Sequence, residues 1–166
     1  MRRRQALATG AILALAGTQL ACCYGLARAT RGKHSLDGEP VRTDLGALRK
    51  RFPELGRMVQ AHWQELTIGA EIWWLPLGPR DVLFQAVVVL DRRDLERITA
   101  EHKWGPPRDG WDRHMTAELR PFAPASGDWQ HSALLEAAVC APIFTGGGDV
   151  IVDLRSGAVY LDLLIA

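Results

Sequence analysis

A chain of 166 residues, 48% of them hydrophobic and three of them cysteine, has room for one core and argues against a disulfide scaffold. Four of the 20 basic residues (Arg2, Arg3, Arg4 and Arg28) precede Thr30, and none of the 19 acidic ones does, so the near-neutral total hides a basic start and a mildly acidic body. A body of that charge lacks the basic stripe that neutralises phosphates, which argues against a nucleic-acid binder.

The chain opens with a targeting pattern. Behind Arg2, Arg3 and Arg4, residues Ala6 to Ala27 carry no charge, a run long enough to cross a bilayer as a helix. Residues 1–29 are therefore expected to be a signal peptide or membrane anchor, with residues 6–27 meeting the membrane. Ala27-Arg28-Ala29 offers a small-x-small cleavage site that would leave Thr30 first. Leu20-Ala21-Cys22-Cys23 approximates a lipoprotein signal, which makes Cys22 and Cys23 candidate lipidation sites, and Arg3-Arg4-Gln5-Ala6-Leu7 loosely follows a twin-arginine signal. The expected location is the cell membrane with the domain outside the cytoplasm. The alternative is secretion after cleavage at Ala29.

Residues 30–43 are polar, contain Gly and Pro and show no apolar period, the pattern of a tether. Residues 44–166 then form a single domain. Leu45, Leu48 and Phe52 at helical spacing predict a helix with Thr43 as its cap, ended by Pro53. "VQAHWQ" alternates, with Val59, Ala61 and Trp63 on one side, and predicts a strand. "AEIWWLP" reads as another strand or edge segment, in which Trp73 and Trp74 divide between core and surface. Val82 to Leu90, apolar nearly throughout, predicts a central strand. Asp91 caps a helix over "RRDLERITAEHK" with Leu95, Ile98 and His102 inward. "HMTAELR" alternates again, putting Met115, Ala117 and Leu119 on one face. "QHSALLEAAV" holds a short helix, and "DVIVDL", the turn "RSG" and "AVYLDLLI" predict a closing β-hairpin. The sum is an α+β domain: a mainly antiparallel sheet of five or six strands with two or three helices on one face, preceded by an N-terminal signal or anchor helix.

The densest polar and aromatic stretch is "EHKWGPPRDGWDRH", residues 101–114. Trp104 and Trp111 are candidate flat contact surfaces, and Arg108, Asp112 and His114 are candidate polar contacts, because loops on rigid scaffolds often carry recognition. The bland alternative is that both rings fold back onto the core. His102 or His114 with Asp109 or Asp112 would supply an acid-base pair if brought within reach. No metal or cofactor is expected: the histidines are dispersed, and "TGGGDV" leads into a strand with no Lys and no following helix. Cys140, among apolar neighbours, reads as an inert thiol.

"RFPELG", the tryptophan of "AHWQ", "LGPRDVLFQAVVVLD", "ASGDWQHSALL" and "DVIVDLRSGAVYLDLL" together resemble a family of uncharacterised exported proteins of high-GC Gram-positive bacteria. The resemblance covers most of residues 51–164 and implies export and an α+β fold. It implies no activity. The expected function is a non-catalytic binding or interaction module exposed at the envelope, with a protein or cell-envelope ligand. The alternatives are a hydrolase or transferase using a His/Asp pair in the 101–114 loop, and an accessory subunit of a membrane protein.

Overall fold

The computed structural model describes residues 36–68, 81–141 and 145–165. Two long strands, β1 (Met58–Ile68) and β2 (Asp81–Leu90), pair antiparallel. β3 (Trp129–His131), β4 (Thr145–Asp153) and β5 (Ala158–Ile165) complete a five-stranded sheet of order β1-β2-β5-β4-β3, antiparallel at every neighbouring pair. The β4–β5 turn is tied by Asp153, whose carboxylate accepts from the amides of Asp128 (2.6 Å), Arg155 (3.2 Å) and Ser156 (3.3 Å). Gly157 closes that turn at φ 76, a left-handed conformation that side chains disfavour.

One face of the sheet carries the helices, as expected. α1 (Leu45–Arg51) is capped by Asp44, which accepts from the Gly46 amide, rather than by Thr43. α2 (Arg92–Glu101) is capped by Asp91 as expected, and α3 (Ala133–Cys140) by Ser132. Leu48, Ile98, Leu135 and Val139 from these helices pack on Phe84, Val88, Val159, Leu161 and Leu163 of the sheet. Burying each such side chain contributes about 1.5–3 kcal/mol, so this layer is the main source of stability.

The opposite face is covered by irregular chain, and two expectations change here. "HMTAELR" is a series of turns, not a strand: Met115 and Leu119 are buried while Ala117 is exposed. Its amides find local acceptors instead of a ladder, from Met115 onto Asp112 O (3.0 Å) and from Arg120 onto Thr116 O (3.1 Å). The stretch expected as tether is docked from Leu36 onwards. Leu36 is buried, Val41 packs on the second core, and Arg42 pairs through its backbone with Trp63 on the outer edge of β1.

β1 also carries a bulge between Met58 and Gln60. The extra residue turns Met58 into the helix-side core beside Ala61 and Trp63, which share that face as expected, and leaves Val59 half-exposed, which removes it from the expected face. Trp129–His131 forms a short strand ahead of α3 that the helical reading of "QHSALLEAAV" left out. Trp73, Trp74 and the segment 1–35, with Cys22 and Cys23, lie outside the described residues. Among the described residues no helix is long and apolar enough to cross a membrane.

Candidate functional site

The 101–114 loop wraps round the β3 edge of the sheet. Trp104 packs against the helix-side core and donates its indole N–H to Thr99 O (3.1 Å), with His102 edge-on to its ring. Gly105 then pairs with His131 by two backbone hydrogen bonds, extending the sheet edge, and the chain passes to the other face. There Trp111 packs against Trp129 and Tyr160, with ring centroids 4.9 and 5.6 Å away, closing the second core of Val87, Met115, Leu119, Ile151 and Tyr160. The structure thus brings Arg108, Trp111, Asp112 and His114 to one face and sets Trp104 on the other. His102 and His114 are divided in the same way, so the two histidines of the loop do not share a cleft.

Beneath the loop runs a transverse row of buried polar side chains. Gln64, Gln85, Asp162 and Asp149 stand directly opposite one another across β1, β2, β5 and β4. Thr116 donates its hydroxyl to Gln64 Oε1 (2.6 Å) and its amide to Gln85 Oε1 (3.2 Å). Gln85 Nε2 donates to His114 O (2.7 Å) and to Asp162 Oδ1 (3.2 Å), and Gln64 Nε2 to Glu39 O (2.5 Å). Arg108 ion-pairs with buried Asp149 while its own side chain stays about half exposed. Apolar residues would have covered the sheet at lower desolvation cost. The polar row instead fixes where the loop and the 36–42 segment lie. The exposed side of the loop holds the Asp112–Arg120 ion pair (3.5 Å) and His114.

The other titratable groups are dispersed. His62, on the loop-covered face of β1, stacks on Phe122 at 3.5 Å and 5°. Its Nδ1 is buried without a hydrogen-bond partner, and burial lowers its pKa below the usual histidine value. His131 meets Glu136 at 3.0 Å. Cys140 sits half-buried at the end of α3 against the helix-side core. The glycines of "TGGGDV" belong to β4 itself. A Cβ on Gly148 would lie 2.4 Å from Leu163 Cδ2 and 2.6 Å from Asp162 O, so close strand contact accounts for that glycine. No group of three metal-ligating side chains forms among the described residues.

The concavity with the most developed chemistry lies elsewhere, between α1 and the outer part of β1. It is an open groove of about 600 Å3 lined by Arg42, Asp44, Ala47, Lys50, Arg51 and Glu65 over the buried Leu48 and Trp63. Glu65 joins the two guanidiniums, Oε1 2.8 Å from Arg42 Nη1 and Oε2 3.2 Å from Arg51 Nη1. Each guanidinium also lies over an aromatic ring, Arg42 over Trp63 at 4.9 Å and Arg51 over Phe84 at 5.2 Å. Cation–π contact and a shared carboxylate hold side chains that would otherwise sample many rotamers. The buried indole N–H of Trp63 has no hydrogen-bond partner among the described residues. A second groove, of about 490 Å3, lies between α2 and the β4–β5 turn, where Arg92 and Glu96 neutralise each other at 3.0 Å.

Sequence reasoning missed the first groove because its parts are 23 residues apart in the chain, from Arg42 to Glu65. The available signal was "LRKRF", three cations ending a helix next to a strand whose alternation puts Trp63 and Glu65 on one side and Gln64 on the other. Comparison of the chain with protein-family models, with curated proteins and with solved structures returned no match.

Proposed function

We propose that this chain is a non-catalytic recognition module of the cell envelope, carried there by residues 1–29, and that its ligand seats in the groove between α1 and β1. One observation carries the reading: two arginines are preset over aromatic rings by a shared carboxylate, around a concavity of the volume that small ligands occupy. Preorganised polar groups reduce the ordering cost of binding. The fastened loop on the opposite face supports a scaffold role, since its buried polar side chains are turned onto backbone and strand partners.

The test is a titration of the full-length protein, held in detergent, with short peptides, simple sugars and peptidoglycan fragments, followed by amide NMR shifts and by mass analysis of the recovered compounds. Saturable shifts at residues 42–51 and 63–65 with unchanged compounds are expected. Conversion of any compound would contradict the non-catalytic reading, and shifts confined to residues 108–122 would move the ligand to the loop. The location is tested by intact mass: a membrane-bound species that is uncleaved or acylated at Cys22 or Cys23 fits an anchored domain, a species in the medium starting at Thr30 fits secretion, and a cytoplasmic species contradicts the proposal.

A further inference from the structure

Resting on the groove reading above, we infer that the ligand is a small oxyanion, a phosphate or carboxylate carried on an apolar body. The argument starts from charge. The groove is lined by three cations, Arg42, Lys50 and Arg51, and two carboxylates, Asp44 and Glu65. Asp44 is already turned onto the Gly46 amide as the cap of α1, and Glu65 divides its two oxygens between two guanidiniums. Lys50 is exposed and enters no ion pair with a described residue.

Donor capacity points the same way. A guanidinium has five N–H groups in a planar fork that matches carboxylate and phosphate oxygens. The ion pair with Glu65 uses Nη1 of each arginine, and Arg42 is about half exposed. Glu65 is thus an internal oxyanion that shows what the pair of arginines accepts. The exposed Ala47 beside these cations adds an apolar contact, which favours an anion carried on an apolar body over a bare ion. Phosphate and carboxylate share this chemistry and differ in charge.

The experiment uses the full-length protein in detergent with four probes: inorganic phosphate, phenyl phosphate, benzoate and the neutral benzyl alcohol. Amide and arginine side-chain NMR shifts are read at residues 42–65. The inference expects saturable shifts with phenyl phosphate or benzoate, weaker ones with inorganic phosphate, and weakening of all of them by added salt. A preference for phenyl phosphate assigns a phosphate, and one for benzoate a carboxylate. Arg51→Gln should weaken binding about tenfold or more, the scale of one charge-assisted hydrogen bond. Lys50→Gln removes an exposed charge that no helix contact needs, so it should weaken binding with the fold intact even if Arg51→Gln unfolds.

Glu65→Gln is the sharper variant. Removing the negative charge should tighten anion binding, because the glutamine Oε1 still accepts from a guanidinium and keeps it placed while the repulsion is lost. Benzyl alcohol binding as well as benzoate, or Lys50→Gln and Glu65→Gln both leaving the anion titrations unchanged, would overturn the oxyanion inference while leaving a groove that recognises a neutral ligand. Absence of shifts with all four probes would overturn it as well, and the peptide, sugar and peptidoglycan titrations then decide separately whether the groove binds anything.

Discussion

Replacing Gln85 by leucine tests how the loop is held. The side chain is buried in an interior strand and takes part in three hydrogen bonds: to His114 O at 2.7 Å, to Asp162 Oδ1 at 3.2 Å and from Thr116 N at 3.2 Å. Leucine fills a similar volume, so the cost is polar rather than steric. Each lost bond is worth about 1 kcal/mol net, and the Thr116 amide left buried without an acceptor costs about 1–3 kcal/mol. With partial overlap between these losses, about 3–4 kcal/mol is expected. Urea unfolding would read this as a midpoint lower by about 2 M, for a slope in the usual range for small domains. Amide exchange at Thr116 should accelerate by more than that at Ile98, because the loop loses its fastening before the helix layer does. A stability loss under about 1 kcal/mol, with Thr116 exchange unchanged, would refute the claim that the buried polar row positions the loop.

Three further outcomes follow from particular residues. Gly148→Ala should cost about 1–3 kcal/mol by overpacking against Leu163 and the Asp162 carbonyl, measured by the same urea midpoint. His62 has its pKa lowered by burial, so as pH falls the unfolded chain takes up the proton first. The His62 contribution is therefore complete above pH 6.5, is lost as pH falls below that value, and stops changing below the depressed folded pKa. Comparing midpoints at pH 7.5 and 5.0, wild type should lose more than His62→Gln, and equal losses would remove His62 as the source. Val59→Thr, at the bulge, should change stability by no more than about 0.5 kcal/mol, and a loss above 1 kcal/mol would mean that Val59 is packed after all.

Much of this fold was legible because its signals are local. Asp91 before an amphipathic run, a strand from Val82 to Leu90 that is apolar at every position but Gln85, and Val, Ile, Tyr and Leu around "RSG" each specify an element within ten residues or so. The misreadings arose where a tertiary contact outweighed the local pattern. "HMTAELR" alternates like a strand, yet its amides are satisfied in turns and Met115 and Leu119 reach the sheet from successive turns. The "polar" 36–42 segment is held by Leu36, Val41 and the Gln64 amide, a partner more than 20 residues away. The candidate residues of the 101–114 loop were legible as a group, but the strand edge at Gly105 that separates Trp104 from Trp111 was not. The groove was invisible for a similar reason: Arg42 and Glu65 meet only because Arg42 pairs with the β1 edge.

The most direct test of the whole account is a 31P NMR titration of phenyl phosphate with the full-length protein in detergent, because one spectrum reports both binding and turnover. A module that recognises an oxyanion without catalysis should broaden and shift the phenyl phosphate resonance, with the effect reduced by Lys50→Gln and no inorganic phosphate signal growing with time. An inorganic phosphate signal that grows with protein concentration would contradict the account by showing an enzyme. A phenyl phosphate line left unchanged, with benzoate also failing to shift residues 42–65, would contradict it by leaving the groove without the ligand its charges call for.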